Sequence, residues 1–354
     1  MPNRKLDQDH VSVTIVTYNS RRYIRACLEA VLRQEGIPLE IVVVDNASTD
    51  GTPEILADFD GRIRTILNSR NLGFAAAQNQ AIEAGSGAWV LALNPDALLG
   101  HGFIRKLVET GRLDRRAGTI CGRLLSIGPD FELPATPRID STGIYFTPDM
   151  RHFDRGWHEP DNGCYRQVEY VFGATAAAAL YRREMIRDIS IEGEFFDIDF
   201  FSYREDADVA WRAQLLGWRC IYNPDAVAWH VRSVVPGNRR SVPAVLNMHS
   251  VKNRFLLRIK NTTPGVFRRC WLPMATRDLL VIGGCLVLEQ RSLAAFWRLA
   301  GCLPRALRRR RAIMARRRVT DDALAAWFNP HPSAQPLLRA VDILPIPAVE
   351  EAAR

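Results

Sequence analysis

Apolar and β-branched residues come in short runs along the N-terminal third of the chain, and each run stops at a cluster of polar turn formers. Val11-Ser12-Val13-Thr14-Ile15-Val16 reads as a strand ending at Thr17-Tyr18-Asn19-Ser20, after which residues 21–33 repeat apolar positions at helical spacing. A second buried strand, residues 40–46, runs into Ala47-Ser48-Thr49-Asp50-Gly51, and Pro53 is well placed for the first turn of the next helix. Residues 63–67 form a third strand, which leads through Asn68-Ser69-Arg70-Asn71-Leu72-Gly73 into a helix of small residues at 75–85. Strands alternating with helices predict an α/β fold with a mostly parallel sheet, and such a sheet binds ligands outside the carboxyl ends of its strands. The polar turns all fall on that edge.

A fourth apolar run, Leu91-Ala92-Leu93, stops abruptly at Asn94-Pro95-Asp96. A carboxylate projecting from a strand end places a hard oxygen ligand at the mouth of the sheet, which makes Asp96 a candidate metal ligand; ordinary turn formation around Pro95 is the structural alternative. Further along, Gly173-Ala174-Thr175-Ala176-Ala177-Ala178-Ala179 suits close backbone packing, either beneath a ligand pocket or within a packed strand. Glu205 and Asp206 then open an amphipathic helix whose apolar positions include Val209, Ala210, Ala213 and Leu216. The helix dipole favours acids in a first turn even without a functional role. Asp208 turns to a different face, where Arg212 four residues on can pair with it. Residues 218–226 read as turn, short strand and turn, and residues 227–230 as another strand that ends in His230. A lone imidazole on an apolar strand is most simply a core residue.

Composition narrows the class. A chain of 354 residues with 47% hydrophobic content can bury a large core, and the pattern divides it into a catalytic domain at 1–260 and a C-terminal extension at 261–354. Seven scattered Cys with no Cys-X-X-Cys argue against a disulfide framework or a zinc knuckle. The polar residues 1–10 lack the apolar core of a signal peptide, so a cytoplasmic location is expected. Neither Gly-X-Gly-X-X-Gly after the first strand nor a Walker sequence is present, which excludes the usual dinucleotide oxidoreductases and P-loop enzymes.

In this order, Thr17-Tyr18-Asn19, Val44-Asp45-Asn46-Ala47-Ser48-Thr49-Asp50-Gly51, Asn71-Leu72-Gly73-Phe74, Asn94-Pro95-Asp96 and Tyr203-Arg204-Glu205-Asp206-Ala207-Asp208 resemble the inverting family 2 glycosyltransferases of GT-A fold, especially their bacterial rhamnosyltransferase-like branch. The resemblance covers roughly residues 11–260. It implies a Rossmann-like GT-A sheet and a nucleotide-sugar donor held by Thr17, Asn19, Asp45, Asn46, Ser48, Asp50, Asn71, Gly73 and Asn94, with Asp45 near the base. It further implies Asp96 and His230 as ligands of a divalent cation on the diphosphate. Imidazole with carboxylate suits Mn²⁺, whereas Mg²⁺ prefers oxygens. The family's Asp-X-Asp is Asn94-Pro95-Asp96 here, so only its last position keeps a carboxylate. Asp206 would take the proton of the acceptor hydroxyl as that oxygen attacks, and Glu205 would orient the site. The branch suggests dTDP-L-rhamnose as donor, with a UDP-hexose as the alternative, and a polyprenyl-linked or polysaccharide acceptor in cell-surface glycan biosynthesis. Phe172, Phe196 or Trp211 would wall the C6 methyl of a deoxyhexose.

The C-terminal region changes character. Residues 265–318 carry thirteen Arg and no Lys against Asp278 and Glu289, a net +11 that exceeds the whole chain's +8 and leaves about −3 elsewhere. The longest clean apolar run, 279–288, is ten residues, short of the about 20 that a spanning helix needs, so it reads as an interfacial segment or a buried helix. Beside it, Arg308-Arg309-Arg310-Arg311 and Arg316-Arg317-Arg318 suit an anionic membrane, which points to a peripheral protein on the inner face of the bacterial plasma membrane. A non-catalytic membrane- or nucleic-acid-binding protein is the rival class. Interleaved Phe267, Trp271, Phe296 and Trp297 favour the membrane, and no helix-turn-helix, zinc or RNA-binding signature supports nucleic acid.

Overall fold

The computed structural model describes residues 9–232, 244–332 and 334–336. Strands β1 (Val11–Thr17), β2 (Leu39–Asp45), β3 (Arg64–Leu67) and β4 (Trp89–Leu93) are parallel, with β1 between β4 and β2, and β3 outermost. Every residue of β1 and β4 is buried, which accounts for the unbroken apolar run of β4 and for the small or β-branched character of the polar positions in β1, Ser12, Thr14 and Thr17. Helices α1 (Ile24–Leu32), α2 (Thr52–Ala57) and α3 (Phe74–Ala84) make the crossovers. Thr17 pairs with Asp45 and Asp45 with Leu67, so the loops after β1, β2 and β3 leave the sheet at one level. These elements match the expected ones within a few residues.

The second half is mixed rather than parallel. After β5 (Ala97–Leu99), α4 (Phe103–Gly111), β6 (Ala117–Ser126) and β7 (Ile139–Ser141), a separate hairpin forms from β8 (Ile144–Phe146) and β9 (His152–Asp154). Strands β10 (Glu169–Val171) and β11 (Ala178–Arg182) return to the main sheet, β11 running antiparallel to both β4 and β6. Part of the small-residue run is thus strand β11. Gly173 is required just before it: an added Cβ would lie 2.2 Å from that of Ala210.

After α5 (Arg183–Ile189) comes α6 (Glu205–Leu215) and then β12, a single strand from Arg219 to His230. Two strands separated by a turn at Asn223-Pro224-Asp225 were expected. Instead the ladder to β6 shifts register between Asn223 and Val227 and resumes. Asn223 Oδ1 accepts from the Asp225 amide at 2.8 Å, so the turn chemistry is absorbed as an irregularity inside one strand.

The remaining chain is helical: α7 (Ala244–Asn261), α8 (Pro264–Val287), α9 (Ala294–Ala315) and the short α10 (Asp321–Ala325), with a final two-residue strand β13 (Gln335–Pro336) on β10. Two expectations change here. Helix α8 runs unbroken for 24 residues and is by length and composition long and apolar enough to cross a membrane. Arg277-Asp278 does not interrupt it, because Asp278 is paired with Arg258 of α7 at 2.8 Å. Nor is it a buried helix, since Leu279 is 72% and Val287 77% exposed. The arginine clusters, in turn, largely face the protein. Arg305, Arg308 and Arg309 of α9 pair with Glu192, Glu194, Asp197 and Asp199, and Arg316 and Arg318 pair with Asp188. The acidic excess of the catalytic half is thereby met from within the chain. All seven Cys are free thiols, as their scatter indicated.

Candidate active site

The loops after β1 and β2 are latched together by the residues singled out in the sequence. Asp45 is 1% exposed and accepts from Thr17 Oγ1 at 2.7 Å, Ser48 Oγ at 2.5 Å and the Ser48 amide at 2.9 Å. Ser48 Oγ accepts from the Asn19 amide, and Asn19 Oδ1 accepts from the Thr49 amide. Asp50 accepts from the amides of Arg21 and Thr52. Asn46 donates to the Gly73 carbonyl at 3.1 Å, and Asn71 Oδ1 accepts from the Gly73 amide at 2.8 Å. All of these residues therefore belong to one rigid rim, and Asp45 builds its interior.

Gly73 joins this rim to the second half. Its φ of +87° favours glycine, and an added Cβ would lie 2.5 Å from the Phe201 ring and 2.7 Å from the Phe201 carbonyl oxygen. Phe201, Tyr203 and Arg204 all have positive φ, of 65°, 69° and 74°. Such backbone costs on the order of 1 kcal/mol or more per residue and persists only where its surroundings enforce it. Asn253 of α7 does so: its Nδ2 lies 2.9, 2.9 and 2.7 Å from the carbonyl oxygens of Phe200, Ser202 and Tyr203. The strained loop delivers Glu205 and Asp206 at the first turn of α6.

Asp96 follows β4 and meets the end of β12. His230 Nε2 is 3.3 Å from Asp96 Oδ1 and 3.4 Å from Asn94 Nδ2, and His230 Nδ1 is 2.9 Å from Asp140. Burial opposes a charge on this imidazole, but the hydrogen bonds and charges of Asp140 and Asp96 outweigh it and raise the pKa to about 10. A carboxylate behind Nδ1 with Nε2 aimed at a second carboxylate is the arrangement that orients a histidine for a metal, so Asp96 and His230 fit a divalent cation. Binding there would displace the Nε2 proton. Among the described residues no group of three or more His, Cys, Asp or Glu side chains is placed to hold a metal, so the other positions would fall to a ligand and water. Asp140 continues to Arg232 at 2.8 Å, and Arg232 to Asp154 at 2.5 Å.

The carboxylates of α6 differ in environment. Glu205, 7% exposed, is raised to about 8 by burial and then by the neighbouring charge of Asp206. Half-buried Asp206 is raised to about 6, by burial and the charge of Asp154, against amide donors from Ala207 at 2.7 Å and Ala176 at 3.4 Å. At neutral pH one holds its proton and the other can accept one, the split that separates acid and base roles. Asp208 pairs with Arg212 at 2.8 Å, as expected, but the pair is buried and Asp208 also meets Lys260 of α7 at 2.9 Å.

Phe172, Phe196 and Trp211 do not wall a sugar site. They are at most 1% exposed and pack in the core, Phe172 and Trp211 both against Phe146 and Phe328. The residues that sequence reasoning missed, Asp140, Arg232, Asn253 and Lys260, act across long sequence separations that leave no local spacing to read.

A sheet whose strand ends present a latched polar rim, a carboxylate–imidazole pair and an acidic helix start defines a transferase of the GT-A class. Consistent with this, GalNAc-T7, solved with UDP, GalNAc and Mn²⁺, superposes with a TM-score of 0.57 at 15% identity over 73% of this chain and 48% of its own. TarS of S. aureus, residues 1–349, superposes with 0.53 at 17% identity over 89% of both chains. Residues 12–190 match the family model for glycosyl transferase family 2, and the chain belongs to that family. Among its relatives is an N-acetylglucosaminyl-diphospho-decaprenol L-rhamnosyltransferase of Mycobacterium tuberculosis, 27% identical over 242 residues that cover 63% of this chain and 76% of that one. The succinoglycan biosynthesis protein ExoO of Rhizobium meliloti is 33% identical over 140 residues, 36% of this chain and 40% of that relative, so the chain spans less than half of its length.

Proposed function

We propose that the chain is a divalent-cation-dependent, inverting glycosyltransferase that moves L-rhamnose from dTDP-L-rhamnose to a polyprenyl-linked or polysaccharide acceptor of the cell surface. The observation that carries the reading is Asp206: a half-buried carboxylate with a pKa of about 6, at the head of a helix, on the sheet edge that also bears Asp96 and His230. Ionised Asp206 accepts the proton of the attacking acceptor hydroxyl, so the oxygen reaches the anomeric carbon as a developing alkoxide and displaces the nucleoside diphosphate in one step. Protonated Glu205 beside it adds no second negative charge and can donate a hydrogen bond to a sugar oxygen. The latched rim from Thr17 to Gly73 fixes the nucleotide with little loss of loop entropy on binding. Asp96 and His230 would hold a divalent cation, which when bound offsets the negative charge growing on the diphosphate. The rhamnosyl donor is supported by the mycobacterial relative, whose name states that sugar.

A cytoplasmic, peripheral location on the inner face of the plasma membrane belongs to the same reading. Its support is the exposed apolar surface of Leu279, Val287, Leu288 and Trp297, the last two 81% and 83% exposed, with Arg268, Arg269 and Arg311 also exposed on these helices. The test is turnover by the purified chain on a panel of dTDP- and UDP-sugars, with Mn²⁺, with Mg²⁺ and with excess EDTA. Cation-dependent consumption of dTDP-L-rhamnose ahead of the UDP-hexoses is expected. Preference for UDP-glucose or UDP-galactose would replace the donor, and full activity in EDTA would remove the cation.

A further inference from the structure

Beyond His230, the β8–β9 hairpin and Arg232 line a cavity of about 240 Å³. We propose that it is a subsite for one uncharged pyranose ring. The inference rests on the glycosyltransferase reading above and names a ligand class and residues that the reading does not contain.

Size limits the occupant first. Drug-sized ligands occupy pockets of about 300–1,000 Å³, so this cavity admits a single sugar ring and not a nucleotide sugar. Its walls carry the two kinds of surface that a sugar ring presents. Tyr145 and Trp157 supply aromatic area for the C–H bonds, while Asp154, Glu159 and Arg232 supply acceptors and donors for the hydroxyls.

Charge decides between a neutral sugar and an anionic one. Arg232 is already bound by two carboxylates, Asp140 at 2.8 Å and Asp154 at 2.5 Å. Glu159 adds a further negative charge to the lining. His152, in the same lining, is held neutral by burial and by the nearby guanidinium groups of Arg204, Arg254 and Arg232. Among the described residues the lining therefore has no cation left over for a phosphate or a uronate, and its carboxylates favour hydroxyl donors.

Position ties the cavity to the reaction centre. Asp154 leads through Arg232, Asp140 and His230 to Asp96 in contacts of 2.5, 2.8, 2.9 and 3.3 Å. The charge of Asp154 is also felt by Asp206. The ring could come from the sugar being transferred or from the acceptor's terminal sugar, and kinetics separates the two. In the full chain, Trp157→Ala is expected to raise KM by at least about tenfold for whichever substrate brings the ring, whereas Trp157→Phe, which keeps an aromatic face, stays within about threefold of wild type. A rise confined to the acceptor KM assigns the acceptor ring, and one confined to the donor KM assigns the transferred sugar. If both constants stay within about twofold of wild type in Trp157→Ala, or if a uronate-bearing substrate is preferred, the subsite is refuted. Glu159→Gln, at an exposed position, is expected to raise the same constant even if Trp157→Ala folds poorly. Saturation-transfer NMR with methyl α-L-rhamnopyranoside and methyl N-acetyl-β-D-glucosaminide reads binding without turnover. Signal from either glycoside that is lost in Glu159→Gln and Trp157→Ala supports the subsite even if no nucleotide sugar is consumed, and absence of signal from both in a wild-type chain that does consume donor refutes it.

Discussion

Glu205 and Asp206 are neighbours on one helical turn, yet their surroundings hold them in different protonation states at neutral pH, and each state has a measurable consequence. Because the base must be ionised, turnover should rise as pH climbs through about 6 and hold until Glu205 begins to lose its proton near 8. Asp206→Asn is expected to lower kcat by at least about 10²-fold while donor affinity is retained, and a pH–rate profile of near-wild-type amplitude in this variant would remove Asp206 as the base. Glu205 leaves its mark on stability instead. Its carboxyl titrates near 4.5 when unfolded and at about 8 in the fold, so the folded state binds the proton more tightly and wild-type stability falls as pH rises across that window. Glu205→Gln should therefore raise Tm, by little near pH 5 and by progressively more towards pH 8. A Tm difference that is flat with pH would show that the carboxyl is not held protonated. At the other carboxylate site, Asp96→Ala should leave the fold intact, as judged by an unchanged circular dichroism spectrum, and nearly abolish turnover.

At the scale of elements, the C-terminal helices are a structural support of the catalytic helix. Lys260 of α7 bridges Asp197 at 2.5 Å and Asp208 at 2.9 Å, and Arg309 of α9 reaches Asp197 at 2.5 Å, all at side chains no more than 4% exposed. Breaking such a buried pair typically costs about 3–5 kcal/mol, because the remaining charge stays buried without its partner. Thermal unfolding should accordingly show a large Tm loss in Lys260→Met and almost none in Arg308→Ala, whose pair with Glu192 is solvent-exposed. Equal losses would mean that the buried cluster is not what fastens α7 and α9 to α6. Removing residues 262–354 is then expected to yield insoluble protein rather than a smaller soluble enzyme.

The same contacts explain what the sequence made visible. Strands β1, β2 and β4 and their terminal turns were legible because a strand covered on both faces is rich in apolar and β-branched residues and its polar turn is local. The placement of Asp96 just past a strand end and of Asp206 at a helix start, and the Asp208–Arg212 pair, were legible for the same reason, being defined by neighbours a few positions away. Asp140 stands 90 residues from His230, and Lys260 stands 52 from Asp208, so no spacing rule connects either pair. The arginine clusters misled in the opposite direction. A run of like charge looks unpaired when read locally, and its partners Asp188, Glu192, Glu194 and Asp197 lie more than a hundred residues earlier.

The molecule as a whole presents a latched polar rim, a carboxylate–imidazole pair and an acidic helix along one sheet edge, with an apolar helical surface from α8 and α9 elsewhere on the chain. Sedimentation with anionic vesicles should carry the protein down, and replacing Leu279, Val287, Leu288 and Trp297 by Ser should release it without changing Tm, since these side chains are exposed. Undiminished sedimentation of that variant would move the membrane contact to another surface. Inverting transfer by a single displacement is tested most directly by the anomeric configuration of the product that the full chain forms from a nucleotide-sugar donor, read by ¹H NMR during the first turnovers. A product of configuration opposite to the donor is expected, whereas retention of the donor's configuration would contradict Asp206 as a base acting on the attacking hydroxyl.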